Sequence, residues 1–220
     1  MKFKILESSF FSVPNAKAKD IEEIADYIIK NCQPILQIYK STVFKFYRGL
    51  VDDPSDIIIK DVRKDREPKD TVPVISKLFD DLLFKKFKWH PRQEGLFITS
   101  NRNEAQSYGF SEELVHVIFP VGKFKYVWSP SIIDFWTEFQ NRSMYDEEFD
   151  AGRYTKSEMI RKFGGIVREM FSSYTDKNIK IALNNHDKRC EVMVKCDRYV
   201  AIEFDIFKQV NDELKKKGAL

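Results

Sequence analysis

Cysteine is scarce in this chain of 220 residues: Cys32, Cys190 and Cys196 are the only three, and an odd, widely spread set builds no disulfide framework. Histidine is equally sparse. His90, His116 and His186 share no metal-ligand spacing with one another or with the cysteines, so reduced thiols, a reducing compartment and no structural zinc are expected. Glycine and proline number 8 each, too few for collagen or a low-complexity chain. No run of about 18 uncharged apolar residues occurs. Glu7 interrupts the start Met1-Lys2-Phe3-Lys4-Ile5-Leu6 where a secretory segment stays apolar, so neither a membrane span nor an export signal is expected. No single charge sign dominates either. The 37 Lys and Arg face 34 Asp and Glu, leaving +3, unlike a dedicated nucleic-acid coat protein. The loops Gly-x-Gly-x-x-Gly and Gly-x-x-x-x-Gly-Lys-Ser/Thr and the elbow Gly-x-Ser-x-Gly are all missing, which removes the commonest phosphate-binding and acyl-transfer signatures.

What is present is apolar and aromatic in quantity, 43% and 14%, enough for the sizeable core of one domain over 1–220. Ile21, Ile24, Ala25, Ile28 and Ile29 recur at helical spacing and predict a helix over 17–30, within an N-terminal helical segment 1–40. The β-branched and aromatic run 42–49 predicts a strand that carries Arg48 to its end. A polar loop over about 50–71 follows, then a helix over 73–86 and a strand over 95–100. Ser100 or Asn101 caps the short helix that begins there. Strands over 115–119 and 123–128 flank the turn Pro120-Val121-Gly122, and Asp134 opens a helical, aromatic segment. Thr155 and Glu158 form a capping box before a helix to about 174, loosened at Gly164-Gly165. Strands over 191–196 and 199–204 and a basic C-terminal helix within 206–220 complete an α+β order with adjacent β pairs. His90 and His116 read as structural, and Trp89, Trp128 and Trp136 as core.

Three strand ends present polar groups: Arg48 in Phe46-Tyr47-Arg48-Gly49, Thr99-Ser100 after Gly95-Leu96-Phe97-Ile98, and Glu191 opening Glu191-Val192-Met193-Val194. Alone, each reads as an ordinary surface group or cap. In this order they resemble the ADP-ribosyltransferases of the Arg-Ser-Glu, cholera-toxin-like branch, and Ala105 with Tyr108-Gly109 resembles that family's helix beneath the nicotinamide. The resemblance spans roughly 43–202.

It implies a split β-sheet core over 41–205 that binds NAD as a substrate, with no metal. Glu191 would hold the ribose and face the oxocarbenium-like charge that develops as nicotinamide leaves. Arg48 would bind the pyrophosphate, Gly49 would let the backbone approach the nicotinamide amide, Ser100 would position Glu191, and Tyr108 would stack on the ring. Thr99 belongs to the same hydroxyl cluster, and Arg63, Arg66 and Arg92 are candidates for further phosphate or adenosine contacts. The family's protein-modifying members place Glu or Gln two residues before the catalytic Glu, whereas Arg189 stands here and cannot accept a hydrogen bond. The acceptor stays open between a protein, a nucleic acid, a small molecule and water, the last making an NAD glycohydrolase. The basic run over 180–195, with Lys188 and Arg189 beside Glu191, suits an anionic partner. A non-catalytic binding module of related fold is the alternative from another class, and a relative that removes a 2′-phosphate from RNA is a further one. The implied location is cytoplasmic, or the host cytoplasm for a phage or effector protein.

Overall fold

A computed structural model describes residues 10–51, 54–67, 71–145, 152–185 and 189–220. Its strands are β1 (Phe10–Val13), β2 (Tyr47–Gly49), β3 (Ile57–Asp61), β4 (Leu96–Thr99), β5 (Val115–Pro120), β6 (Lys125–Trp128), β7 (Glu191–Lys195) and β8 (Arg198–Glu203). They form one antiparallel sheet in the order β1-β3-β8-β5-β2-β4-β7-β6. The helices are α1 (Ala18–Asn31), α2 (Gln33–Tyr39), α3 (Pro73–Phe87), α4 (Pro91–Glu94), α5 (Arg102–Gly109), α6 (Phe135–Ser143), α7 (Lys156–Ser172), α8 (Ile179–Asn184) and α9 (Phe204–Lys216). With an all-antiparallel sheet and helices outside it, the chain is α+β.

The sheet narrows at one place. β2 meets β5 through Tyr47↔Val117, Arg48↔His116 and Gly49↔Val115, but meets β4 through the single pair Tyr47↔Thr99. Two strand connections of hairpin length span this seam without making hairpins. β5 runs through Val121 to Phe124 into β6, yet β5 pairs with β8 and β6 with β7; β7 runs through Cys196-Asp197 into β8, and those two do not pair either. The adjacent β pairs expected from sequence are therefore corners between two halves of the sheet. Short loops alone could not reveal this, because a hairpin and a corner look alike in local composition.

Period-two alternation builds a core on each face. Leu96, Ile98, Val192 and Val194 pack with residues of α1, α2, α8 and α9, while Val127 and Met193 pack with α3, α6 and α7. The strand expected over 42–49 shrinks to Tyr47–Gly49, since Phe44 donates its N–H to the Thr42 hydroxyl at 3.1 Å and Phe46 donates to the Tyr39 hydroxyl at 3.0 Å. The loop expected over 50–71 contains β3, whose Ile57, Ile58 and Ile59 are all buried between β1 and β8. A strand covered on both faces loses the alternation that would reveal it. Asn101 caps α5, accepting from Glu104 N–H at 2.9 Å, and Thr155 with Glu158 forms the capping box of α7. That helix runs unbroken through Gly164-Gly165, because Met159, Phe163, Val167 and Met170 are buried along it and Gly164 faces Leu78 of α3. His116 is buried with both ring nitrogens against carbonyls, Ser55 at 2.9 Å and Leu114 at 3.0 Å.

Gly49 lies flat against α5: a Cβ there would stand 2.4 Å from both Ala105 O and Gly109 N. These are backbone atoms that no rotamer change can move aside. Gly49→Ala should lower unfolding stability by about 1–3 kcal/mol, measured by chemical denaturation with an unchanged m-value.

Candidate active site

Glu191 opens β7 directly opposite Thr99, and Thr99 stands opposite Tyr47, so the ends of β2, β4 and β7 lie side by side. Arg48 reaches across the seam, where its Nη1 donates to the Phe97 carbonyl at 2.6 Å. Its Nε is buried without a hydrogen-bond partner among the described residues, and burial lowers the guanidinium pKa, with Tyr199 and Glu191 opposing. The Glu191 Oε1 is likewise buried without a partner. Burial pushes the Glu191 carboxyl up to about 7; Asp134 adds to the rise, while Arg92, Arg66 and Arg48 oppose it.

Those arginines act on the carboxylate electrostatically. Arg66 lies over the Phe97 ring at 4.4 Å, and burial, followed by repulsion from Arg48, pushes it down to about 10. Arg92 lies over the Phe135 ring at 5.0 Å, with Nε 3.4 Å from the Ser76 hydroxyl and Nη2 3.3 Å from the Thr71 hydroxyl. Its Nη1 is buried without a partner among the described residues. Arg48, Arg66, Arg92, Thr99 and Glu191 all line one cavity of about 750 Å³, within the size range of small-molecule sites. Gly49 and Tyr108, the latter 53% exposed, also line it, as does Arg63, an exposed residue paired with Asp65 at 3.4 Å.

Ser100 departs from its expected role. The strand alternation that turns Thr99 toward the cavity turns Ser100 to the opposite face, where its buried hydroxyl donates to the Ala182 carbonyl of α8 at 3.0 Å. The hydroxyl beside Glu191 is that of Thr99, which accepts from Asn101 N–H at 3.2 Å. Arg189 has a left-handed backbone, φ 54°, and its Nη1 is 3.7 Å from Glu104 Oε2. Lys188 and His186 lie outside the described residues. Trp89 and Trp128 are buried in the cores, whereas Trp136 is partly exposed on the cavity wall. Arg92 is the cation that most affects Glu191 after burial, and Asp134 is the anion that adds to its rise. Arg92 is among the loop arginines expected to contact phosphate, whereas Asp134 reads in the sequence only as a helix start.

The chemistry open to this arrangement is specific. Guanidinium groups with unused N–H donors suit a phosphate or diphosphate, and one carboxylate in a low-dielectric wall suits a developing cation. Among the described residues, no group of three or more His, Cys, Asp or Glu is placed to hold a metal ion, and no helix is long and apolar enough to cross a membrane. The three cysteines are buried thiols, and burial pushes that of Cys196 up to about 12.

The Glu191 carboxyl binds its proton more tightly in the folded chain, near 7, than at its ordinary 4.5. Its contribution to stability is therefore complete below about pH 4.5 and is lost as pH rises through 7. Glu191→Gln, which does not titrate, should gain stability relative to the parent between pH 4.5 and 8; thermal melts of both across that range check the trend.

Compared with known proteins, the chain matches no family model, no curated protein and no solved structure.

Proposed function

We propose that the protein is an NAD-dependent ADP-ribosyltransferase with a split-sheet core, cleaving the nicotinamide–ribose bond and passing ADP-ribose to a macromolecular acceptor. The observation that carries this reading is the meeting of Arg48 and Glu191 in one cavity, each with a buried polar atom that has no partner among the described residues. Buried donors and acceptors are costly to leave unsatisfied, and a bound anion and a bound hydroxyl would satisfy them. The one-pair seam between β2 and β4, with short corners beside it, supports a split core.

In this reading Arg48, Arg66 and Arg92 hold the pyrophosphate, because a planar guanidinium can bind two oxygens at once. Gly49 admits the nicotinamide end and Tyr108 covers it. As the C1′–N bond breaks, its electron pair leaves with nicotinamide, and positive charge grows on the ribose. Glu191, ionised among the arginines, stabilises that charge and holds a ribose hydroxyl. Thr99 takes the position that the resemblance gave to Ser100. Ser100 instead anchors β4 to α8.

Two variants test the reading with labelled NAD. Glu191→Gln should lower nicotinamide release by at least about 10²-fold while NAD still binds, since it removes charge stabilisation that matters most in the transition state. Arg48→Ala should weaken NAD binding about 10- to 100-fold by calorimetric titration, the worth of a charge-assisted hydrogen bond. Equal rates for Glu191→Gln and parent would remove the assignment. Because Glu191 must be ionised to act, kcat/KM should rise with pH through about 7 and level above it. Label found on protein or nucleic acid in a lysate names the acceptor, and release without transfer means a glycohydrolase.

A further inference from the structure

A second titratable pair stands on the same cavity wall and takes no part in holding NAD as described above. His90 Nδ1 lies 2.8 Å from Asp80 Oδ2, and the other oxygen of Asp80 accepts the Arg92 backbone N–H at 2.8 Å. Asp80 is buried, and the His90 ring is stacked on Phe84 at 4.4 Å and 13°. The imidazole is thus fixed in both position and tautomer, with the proton on Nδ1 facing the carboxylate. Its Nε2 has no partner among the described residues, although the side chain is only 30% exposed and both His90 and Asp80 line the cavity. His116, by contrast, has a carbonyl at each ring nitrogen.

We propose that His90, oriented by Asp80, is the general base for the acceptor, and that the acceptor group is a hydroxyl. The proposal rests on the transferase reading above. The C1′–N bond of NAD breaks and its electron pair departs with nicotinamide. An oxygen lone pair of the acceptor forms the new C1′–O bond, and the hydroxyl proton passes to His90 Nε2 while Nδ1–H stays bonded to Asp80. Water is the smallest such acceptor, which makes NAD hydrolysis the assay. The departure at Arg189 fits this division of labour, since the loop before β7 need not supply an acceptor-binding carboxylate when a base stands elsewhere on the wall.

The test exploits a nucleophile that has no proton to lose. His90→Gln should hydrolyse NAD about 10²-fold more slowly with NAD affinity little changed, and sodium azide should restore nicotinamide release with ADP-ribosyl azide as product, seen by mass spectrometry. Asp80→Asn should show the same azide response and serves as the second variant where His90→Gln fails to fold. Parent-like hydrolysis in His90→Gln, with Glu191→Gln inactive, would overturn the proposal and leave the NAD reading standing. A loss that azide does not relieve in folded, NAD-binding variants would also overturn it, showing that the pair serves structure alone. A parent protein that neither binds NAD nor releases nicotinamide would overturn both.

Discussion

A buried guanidinium takes the place of a sheet ladder in this protein. Where main-chain pairing between β2 and β4 stops after Tyr47↔Thr99, the Arg48 side chain supplies the next cross-strand hydrogen bond, to the Phe97 carbonyl. A charge in that position is expensive to bury, and its Nε has no compensating partner among the described residues. The same residue lines the cavity. Gly49 follows immediately, pressed on α5, and Thr99 and Glu191 stand at the far side of the seam.

The charges around this seam control one another. The Glu191 carboxyl is pushed up to about 7 because burial outweighs the opposing guanidinium groups, and Arg48 and Arg66 are in turn less costly to bury because the carboxylate is there. Aromatic faces do part of the work that water would do elsewhere: Phe97 lies under Arg66, and Phe135 under Arg92. Under the proposed function, such a wall would meet a ligand that carries negative charge at one end and turns cationic at the other.

Much of the local architecture could be read from residue order, and most of the assembly could not. The amphipathic α1, the box at Thr155 and Glu158, the Asn101 cap and the ends of β4 and β7 depend on neighbours within a few positions, so spacing reveals them. β3 is hidden because Ile57, Ile58 and Ile59 are covered on both faces. Thr99 and Ser100 differ by one position, and only the faces of β4 decide which hydroxyl meets Glu191. Arg92 enters the site from the short helix α4, held by Ser76 and Thr71 of a distant stretch, and no periodicity marks it.

The strand order also bears on how the chain acquires its shape. Ile57 meets Ile202, Thr99 meets Glu191 and Trp128 meets Val192, so the ladders join segments far apart in sequence, and the tight corners at Cys196-Asp197 and after Pro120 seed no local hairpin. Long loops must close before these pairings form, which slows folding relative to a chain of local helical contacts. During synthesis, the edges of β3 and β5 that β8 will cover remain open until Arg198–Glu203 has been made. Until β8 forms, the isoleucine-rich edge of β3 lacks its native partner, and pairing with a second unfolded copy competes with native closure.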